Sequence, residues 1–493
     1  MPSSAVVLGV SIFYLVASLV VGMWPGRRAS GTSSGYVAGD RTLGLVLMYF
    51  ITGATIFSAF AFLGAPGWAY SRGAAAFYIL GYGALGFVPF YFLGPRAARL
   101  GRKYGFVTQA EMIAERFRMR SIAALMALIS VVAFVPYLAL QIKGAGYVLH
   151  AVSGGAIREW LGSAAVYGVV LVYVLRSGVL GVGWTNTFQG VFMMVLAWGL
   201  GLYLPYRLHG GVGQMFRDIA AERPELLQPP GLTSSGDPWS WGEYSTAVLV
   251  SIIGFSVWPH LFMKAFTARD DRTIRRTVVL YPTFQIFLVP LFLIGFSGVM
   301  FASAPERADQ ILPHLLMNME IPAVLVGLFC AGALAASMSS GDAMAHAAAS
   351  IAVRDGMVQG ARIKLDAATE RTWIRIAVVA VVVTAYALAV SYKGELVSLL
   401  LWAYGPVGQF APAVAATLYW KRATGAGVLG GLLAGCLVTT LLVIFPSARP
   451  FPLHAGIYGF VANVLLVVLI SLTTGAAPTD RDRAFLRIAA GDR

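Results

Sequence analysis

Runs of about 20 apolar residues, the length a helix needs to cross ~30 Å of hydrocarbon, recur along almost the whole chain. No other feature restricts the fold as strongly. A segment in lipid must satisfy its own backbone N–H and C=O groups, which leaves helices and closed barrels. The alternation over roughly ten residues that marks a barrel strand is not the pattern here. Charged residues make up 12% and hydrophobic ones 58% of the 493 residues, against about 25% charged in soluble domains. An all-α, polytopic membrane protein is expected. Thirteen transmembrane helices can be drawn, at roughly 5–24, 43–70, 75–94, 121–150, 160–176, 180–205, 243–264, 277–302, 319–353, 373–391, 395–419, 424–445 and 452–473. Pro25-Gly26-Arg27-Arg28 follows the first run without a small-residue cleavage site. That run reads as a retained helix, not a signal peptide.

The net charge of +14 raises the question of nucleic acid, and the placement of the charges answers it. With thirteen spans the loops alternate between two sides. One side collects 27 of the 36 Lys and Arg residues, chiefly in the stretches Arg96 to Arg120, Lys264 to Arg276, Arg354 to Arg375 and the C-terminal tail. The other holds eight, including Arg72, Arg158, Arg307 and Lys393, and Lys143 lies inside a span. This asymmetry is a topology signal. It puts the N-terminus outside and the C-terminus in the cytoplasm, in the plasma (inner) membrane. The partners expected are the lipid bilayer and a small solute, with no nucleic acid and no obligatory protein partner. No P-loop or HExxH is present, so neither ATP hydrolysis nor an intramembrane enzyme is expected. Cys330 and Cys436 both fall in apolar runs and read as packed free thiols.

Polar groups at membrane depth are expensive and by default functional or paired. The ninth span continues as ASMSSGDAMAHAAAS, Ala336 to Ser350. At 100° per residue Ala336, Ser339, Ser340, Ala343 and Ala347 share one face, with Ser339, Asp342 and His346 beside it. Paired hydroxyls are hard oxygen ligands suited to Na+; serines that bond back to helix carbonyls are the alternative. The second span holds GATIFSAFAFLGAPG, Gly53 to Gly67, with Thr55 and Ser58 near its middle. Gly and Pro at such a place mark either a broken transporter helix with free carbonyls or a packing kink. GFSVWPHLFMK, Gly254 to Lys264, interrupts the seventh span at Pro259, beside Trp258 and His260. Two interrupted helices five spans apart predict a 5+5 inverted repeat with its site at the midplane. In PYLALQIKGAG, Gln141 and Lys143 sit inside a span. That lysine must snorkel, pair with Asp342, or hold an anion.

In this order, these pieces resemble the sodium:solute symporter family from about Tyr36 to Gly427. Its marks here are GYVAGDRTLG, SRGAAAFY, GRKYGFVTQAEMIAERF, GVGWTNTFQG, the AxxSS of Ala336 to Ser340 with Asp355 after it, and LWAYGPVGQFAPAVAATLYWKRATGAG. The resemblance implies a leucine-transporter-type core of ten helices, the second to the eleventh span. It implies Na+ as coupling ion, held by the carbonyls of Ala54, Phe57 and Ala336 and the hydroxyls of Ser339 and Ser340. Many members have WTD where this chain has Asn186 in WTN, and Asp342 stands where some place a further serine. A second cation or proton site of Asp342, Asn186 and Ser339 is the reading this suggests.

The resemblance also bears on cargo. Sugar-transporting members use a Gln and a Glu on the first two core helices. Residues 59–83 have neither and offer Phe60, Phe62, Phe77, Tyr78 and Tyr82. YLALQIKGAG and WPH look like the monocarboxylate-permease branch. The expectation is symport of a small organic anion such as pyruvate, lactate or acetate, with Thr55, Ser58, Phe60, Gln141, Lys143, Trp258, His260 and Gln409 as substrate contacts. Pantothenate, a proline-type amino acid, and proton coupling through Asp342 and His346 are the alternatives. A sensor input domain is more remote, because the tail after residue 473 is only about 20 residues. The expected organisation is residues 1–42 as first helix and inner loop, 43–206 and 243–420 as the two repeats, 207–242 as an extracellular loop, 421–475 as two accessory helices, and 476–493 as a cytoplasmic tail.

Overall fold

The computed structural model describes residues 3–24, 33–392, 404–475 and 478–492. Among them every element is helical apart from two isolated bridges, Leu43 with Ala268 and Leu232 with Pro238. Pro25 to Arg28, Lys393 and residues 395–403 of the eleventh predicted span lie outside the described residues. Among the described residues eight helices are each long and apolar enough to cross a bilayer, and two bent pairs pass the same test together. Thirteen separate spans are not resolved in this way. Predicted spans 160–176 and 180–205 run together as Glu159–His209, and span 75–94 divides between Phe77–Gly86 and Phe90–Tyr104.

Glu159–His209 has 51 residues, about 77 Å at 1.5 Å per residue, far more than one crossing of ~30 Å needs. It turns at Gly178, whose φ of 55° and ψ of −146° leave the helical region. A Cβ there would lie 2.5 Å from the Tyr36 carbonyl oxygen. So the two spans meet at a single residue that only glycine suits. Gly178→Ala is expected to cost about 1–3 kcal/mol from the dihedral alone, with the clash in addition. The check is a lowered midpoint of thermal unfolding in detergent.

Both interrupted helices are broken. Leu45–Ile56 stops at Phe57 (φ −74°, ψ 74°), and the chain resumes through a π-helical turn, Phe60–Gly64, into Ala65–Arg72. The two parts are bent by 58°. Trp241–Val257 stops at Trp258 (φ −54°, ψ 127°), and Pro259 opens the next segment, bent by 49°. The second break is local chemistry. A residue before proline is pushed to extended ψ, and proline itself suits a first helical turn.

The helix with the serines, Ala323–Ile351, is the interior pillar. With its continuation to Gly360 it has 78% of its apolar window buried, against 33% for Gly425–Ile444 and Ala455–Thr474. It packs on Arg120–Val152, Glu159–His209, Ser4–Met23 and Leu45–Ile56. Its many Ala, Ser and Gly residues allow that approach on several sides. Between the two halves, Val212–Glu222 is a short helix that buries Met215 and Ile219, the face its spacing predicts. The tail also carries a helix, Asp480–Ala490, opened by a Thr479–Asp482 capping box. It docks on Phe90–Tyr104: Tyr104 and Phe485 stack at 5.6 Å, and Arg99 donates to the Ala489 carbonyl at 3.0 Å. Cys330 is buried, Cys436 partly so, and both thiols are free.

Candidate functional site

The first break frees two carbonyls. In a continuous helix the N–H groups of Ser58 and Ala59 would bond to Ala54 and Thr55. Here the Ser58 N–H turns to the Ile56 carbonyl at 2.8 Å, and the Ala59 N–H donates to Gln141 Oε1 at 2.8 Å. The serine helix lies against this gap. Ser339 Oγ donates to the Ala54 carbonyl at 2.9 Å, with the Ala336 carbonyl 3.1 Å away, and Ser340 Oγ donates to the Thr55 carbonyl at 2.6 Å. All five residues are buried. The arrangement is a dry nest of hard oxygens from two helices, without a formal charge. Such oxygens suit a small hard cation once the two O–H bonds rotate aside from the carbonyls.

Most residues of the expected sodium set are therefore brought together. Phe57 is where the backbone leaves the helix, and its ring packs on Phe284 and Phe287. The Thr55 carbonyl, rather than its side chain, joins the group; the Thr55 hydroxyl bonds back to Ile51 at 2.5 Å. Gln141, expected at the substrate, also holds the break open through its Oε1, while its Nε2 is buried and without a partner among the described residues. Ser58 Oγ accepts from the Phe60 N–H at 3.2 Å, a local cap of the second half-helix.

One turn along the serine helix, Asp342 is fully buried. Tyr173 donates to its Oδ2 at 2.8 Å, the Thr185 hydroxyl lies 3.1 Å from that atom, and Asn186 Nδ2 lies 3.3 Å from Oδ1. Asn186 Oδ1 has no donor among the described residues. The carboxylate is thus oriented by neutral donors and, among the described residues, paired with no cation. His346 faces elsewhere, its Nε2 donating to the Tyr36 carbonyl at 3.0 Å.

The second break lies in an aromatic cage. The Trp258 ring is 5.5 Å from Phe134, 5.6 Å from Tyr137 and 5.4 Å from Tyr404, and Tyr82 is 6.3 Å from Tyr404. Trp258 Nε1 and His260 Nδ1 are buried without partners among the described residues. Of the aromatic residues expected here, Tyr78 and Tyr82 adjoin the cage, 4.9 Å apart. Phe60 packs near Trp68, Phe62 on Phe329, and Phe77 on Phe292. The sequence reading missed Phe134, Tyr137 and Tyr404. Phe134, Tyr137 and Gln141 are spaced three and four apart, the signature of one helix face, and that spacing was the available signal.

Two further expected contacts lie away from the cage. Lys143 donates to the Tyr392 carbonyl and lies over the Tyr147 and Tyr392 rings. It opens into a separate cleft of about 560 Å³ with Arg158, Glu159, Glu306 and Arg307. Gln409 bonds to Thr439 at 3.1 Å, and Asn463 donates to its carbonyl at 2.8 Å, so it ties its span to Gly425–Ile444 and Ala455–Thr474.

The family model described as the sodium:solute symporter family matches residues 36–435. The uncharacterized symporter YhjB of Bacillus subtilis is 27% identical, over 94% of this chain and 96% of its own length. The sodium/proline symporter of Staphylococcus aureus is 24% identical, over 94% of this chain and 92% of its own. A solved Na+-coupled sialic acid symporter superposes with a TM-score of 0.79 at 17% identity, over 96% of this chain and 99% of that one. The nucleobase-cation symporter Mhp1 superposes at 0.61 with 15% identity, over 92% and 98%.

Proposed function

The chain belongs to the sodium:solute symporter family, and on that premise we propose that it is a sodium-coupled importer of a small carboxylate-bearing solute. The observation that carries the reading is the gap at Ala54 and Thr55, closed by the hydroxyls of Ser339 and Ser340. Na+ is held there by the carbonyls of Ala54, Thr55, Phe57 and Ala336 and by both hydroxyls. Because the ligands come from two helices, the ion ties the broken helix to the pillar. That favours the state in which the pocket beside the breaks is formed. Solute then binds, the outer path closes, and the bundle rocks inward. The coupling is reciprocal: each ligand raises the other's affinity by the same factor. Asp342 with Asn186 forms a second cation site, and the N-terminus faces outward in the plasma membrane.

Gln141 Nε2 and Trp258 Nε1, buried and unpartnered among the described residues, supply donors for a carboxylate. A short monocarboxylate fits these donors and the apolar walls. A proline-type amino acid is the second reading. The rings of Tyr82, Tyr137, Trp258 and Tyr404 present π faces that attract an ammonium group, and relatives include sodium/proline symporters. Uptake of labelled pyruvate, lactate, acetate, pantothenate and proline into proteoliposomes, with and without a sodium gradient, tests both. Uptake that ignores the gradient for every solute defeats the sodium reading. Lys143→Gln is expected to leave the preference for carboxylates unchanged, since Lys143 lies in the separate cleft. Competition of each acid against neutral analogues measures this.

A further inference from the structure

The side of the molecule where Lys and Arg collect has a cavity that transport does not use. It measures about 530 Å³ and lies between the tail helix Asp480–Ala490, the helix Phe90–Tyr104 and the end of Phe410–Tyr419. Its walls carry Arg96, Lys421, Arg483 and Arg487 against one carboxylate, Asp492. Among the described residues Arg96, Lys421 and Arg487 form no ion pair. Arg483 approaches Asp480 at 3.9 Å with both side chains exposed, a contact worth little. Four cations gathered in one cavity repel one another and favour an anion among them. A second cavity of about 480 Å³ meets the first at Tyr419, which lines both. Its walls include Leu93, Ile253, Pro412, Val464 and Val467. Ser256, also there, turns its hydroxyl back to the Ile253 carbonyl at 3.1 Å. Tyr419 is fixed at the junction: its hydroxyl donates to the Phe92 carbonyl at 3.0 Å, and the Arg96 guanidinium lies 4.2 Å over its ring. The chain here reads Tyr419-Trp420-Lys421-Arg422. Amphipathic rings followed by cations mark the depth at which hydrocarbon gives way to headgroups.

We propose that these two cavities together bind one anionic phospholipid, with its phosphate among Arg96, Lys421, Arg483 and Arg487 and an acyl chain along the apolar groove. A basic pocket beside membrane helices is suited to such a headgroup, and guanidinium groups grip phosphate oxygens in pairs. A zwitterionic lipid brings its own ammonium group into a cavity that is already cationic, so it is disfavoured. Arg483 and Arg487 belong to the tail helix, whereas Arg96 and Lys421 belong to the bundle and its loop. The lipid therefore fastens the tail helix to the bundle, alongside the Arg116–Asp482 and Arg481–Glu115 ion pairs.

Native mass spectrometry of the purified full-length protein in detergent tests this. The protein is titrated with equal amounts of phosphatidylglycerol and phosphatidylcholine that carry the same acyl chains. One phosphatidylglycerol is expected to be retained in about tenfold or greater preference. Lys421→Gln with Arg487→Gln is expected to weaken its binding about thirtyfold, from the usual worth of a basic residue at a lipid surface. Both side chains are exposed, so the fold should survive; should the pair not fold, Lys421→Gln alone is expected to cost about fivefold. Lys103→Gln with Lys364→Gln removes two exposed charges outside the cavity and is expected to change nothing. Inorganic phosphate at millimolar concentration is expected not to displace the lipid, because it cannot fill the groove. Equal retention of the two lipids overturns the proposal. So does an equal loss in the control pair, which would mean diffuse surface attraction, and so does displacement by inorganic phosphate, which would mean a site for a soluble anion.

Discussion

Replacing Ser340 with alanine raises the sodium concentration needed for half-maximal uptake by about tenfold, and replacing Ser339 as well raises it by about a hundredfold. The estimate follows from the worth of a hydrogen-bonding group to a charged partner, about 1.5–3 kcal/mol, with each ~1.4 kcal/mol equal to a factor of ten. Nothing else nearby can replace these oxygens, because the carbonyls of Ala54 and Thr55 are already turned into the gap. The maximal rate at saturating sodium should fall much less, since the hydroxyls serve the ion rather than the solute. Ser350→Ala is the internal control. Its hydroxyl is on the same helix but bonds back to the His346 carbonyl at 2.7 Å, and its loss should leave sodium dependence unaltered. Sodium-titrated uptake of all variants decides the matter. A double variant with the wild-type sodium curve would remove the site.

Asp342→Asn is the second large effect. The carboxylate accepts from Tyr173, with the Thr185 hydroxyl and the Asn186 amide beside it. An amide keeps one acceptor and turns two N–H bonds toward those donors, so it loses both the charge and part of the hydrogen bonding. With the charge gone, a cation beside Asn186 Oδ1 has no counter-ion. The expected result is a sodium-to-solute ratio lower by one, measured as parallel ²²Na+ and solute fluxes. If Asp342 instead carries a proton, the ratio stays and the pH dependence of uptake disappears. A variant with unchanged ratio, rate and pH profile removes Asp342 from the mechanism.

Some of this site was legible because local chemistry writes it into neighbouring residues. Pro259 forces Trp258 out of the helix, so the second break needs no other part of the chain. Ser339 and Ser340 declare an oxygen-bearing face by their spacing on an otherwise apolar helix. Other features depend on residues far apart in sequence. Gln141 keeps the first break open by bonding to Ala59, 82 positions away. Gln409 faces Thr439 and Asn463 rather than the centre.

Lysines show the boundary most clearly. Hydropathy registers Lys264 as the end of a span and Lys143 as an anomaly within one. A helix nevertheless has several faces, and its neighbours alone decide which face a charge meets. Lys143 meets an outlying cleft, and Lys264 lies buried in a short helix packed on Ser33–Ala38. Hydropathy and local residue chemistry are enough to show that the chain crosses the membrane many times as helices, that two of these are interrupted, and which one carries hydroxyls. Lipid demands self-satisfied backbones, and a lapse in that pattern shows within a few residues. Which freed carbonyls those hydroxyls reach, which rings enclose the second break, and where each buried charge points emerge only in the folded chain, because such pairings depend on how distant helices rotate and pack against one another.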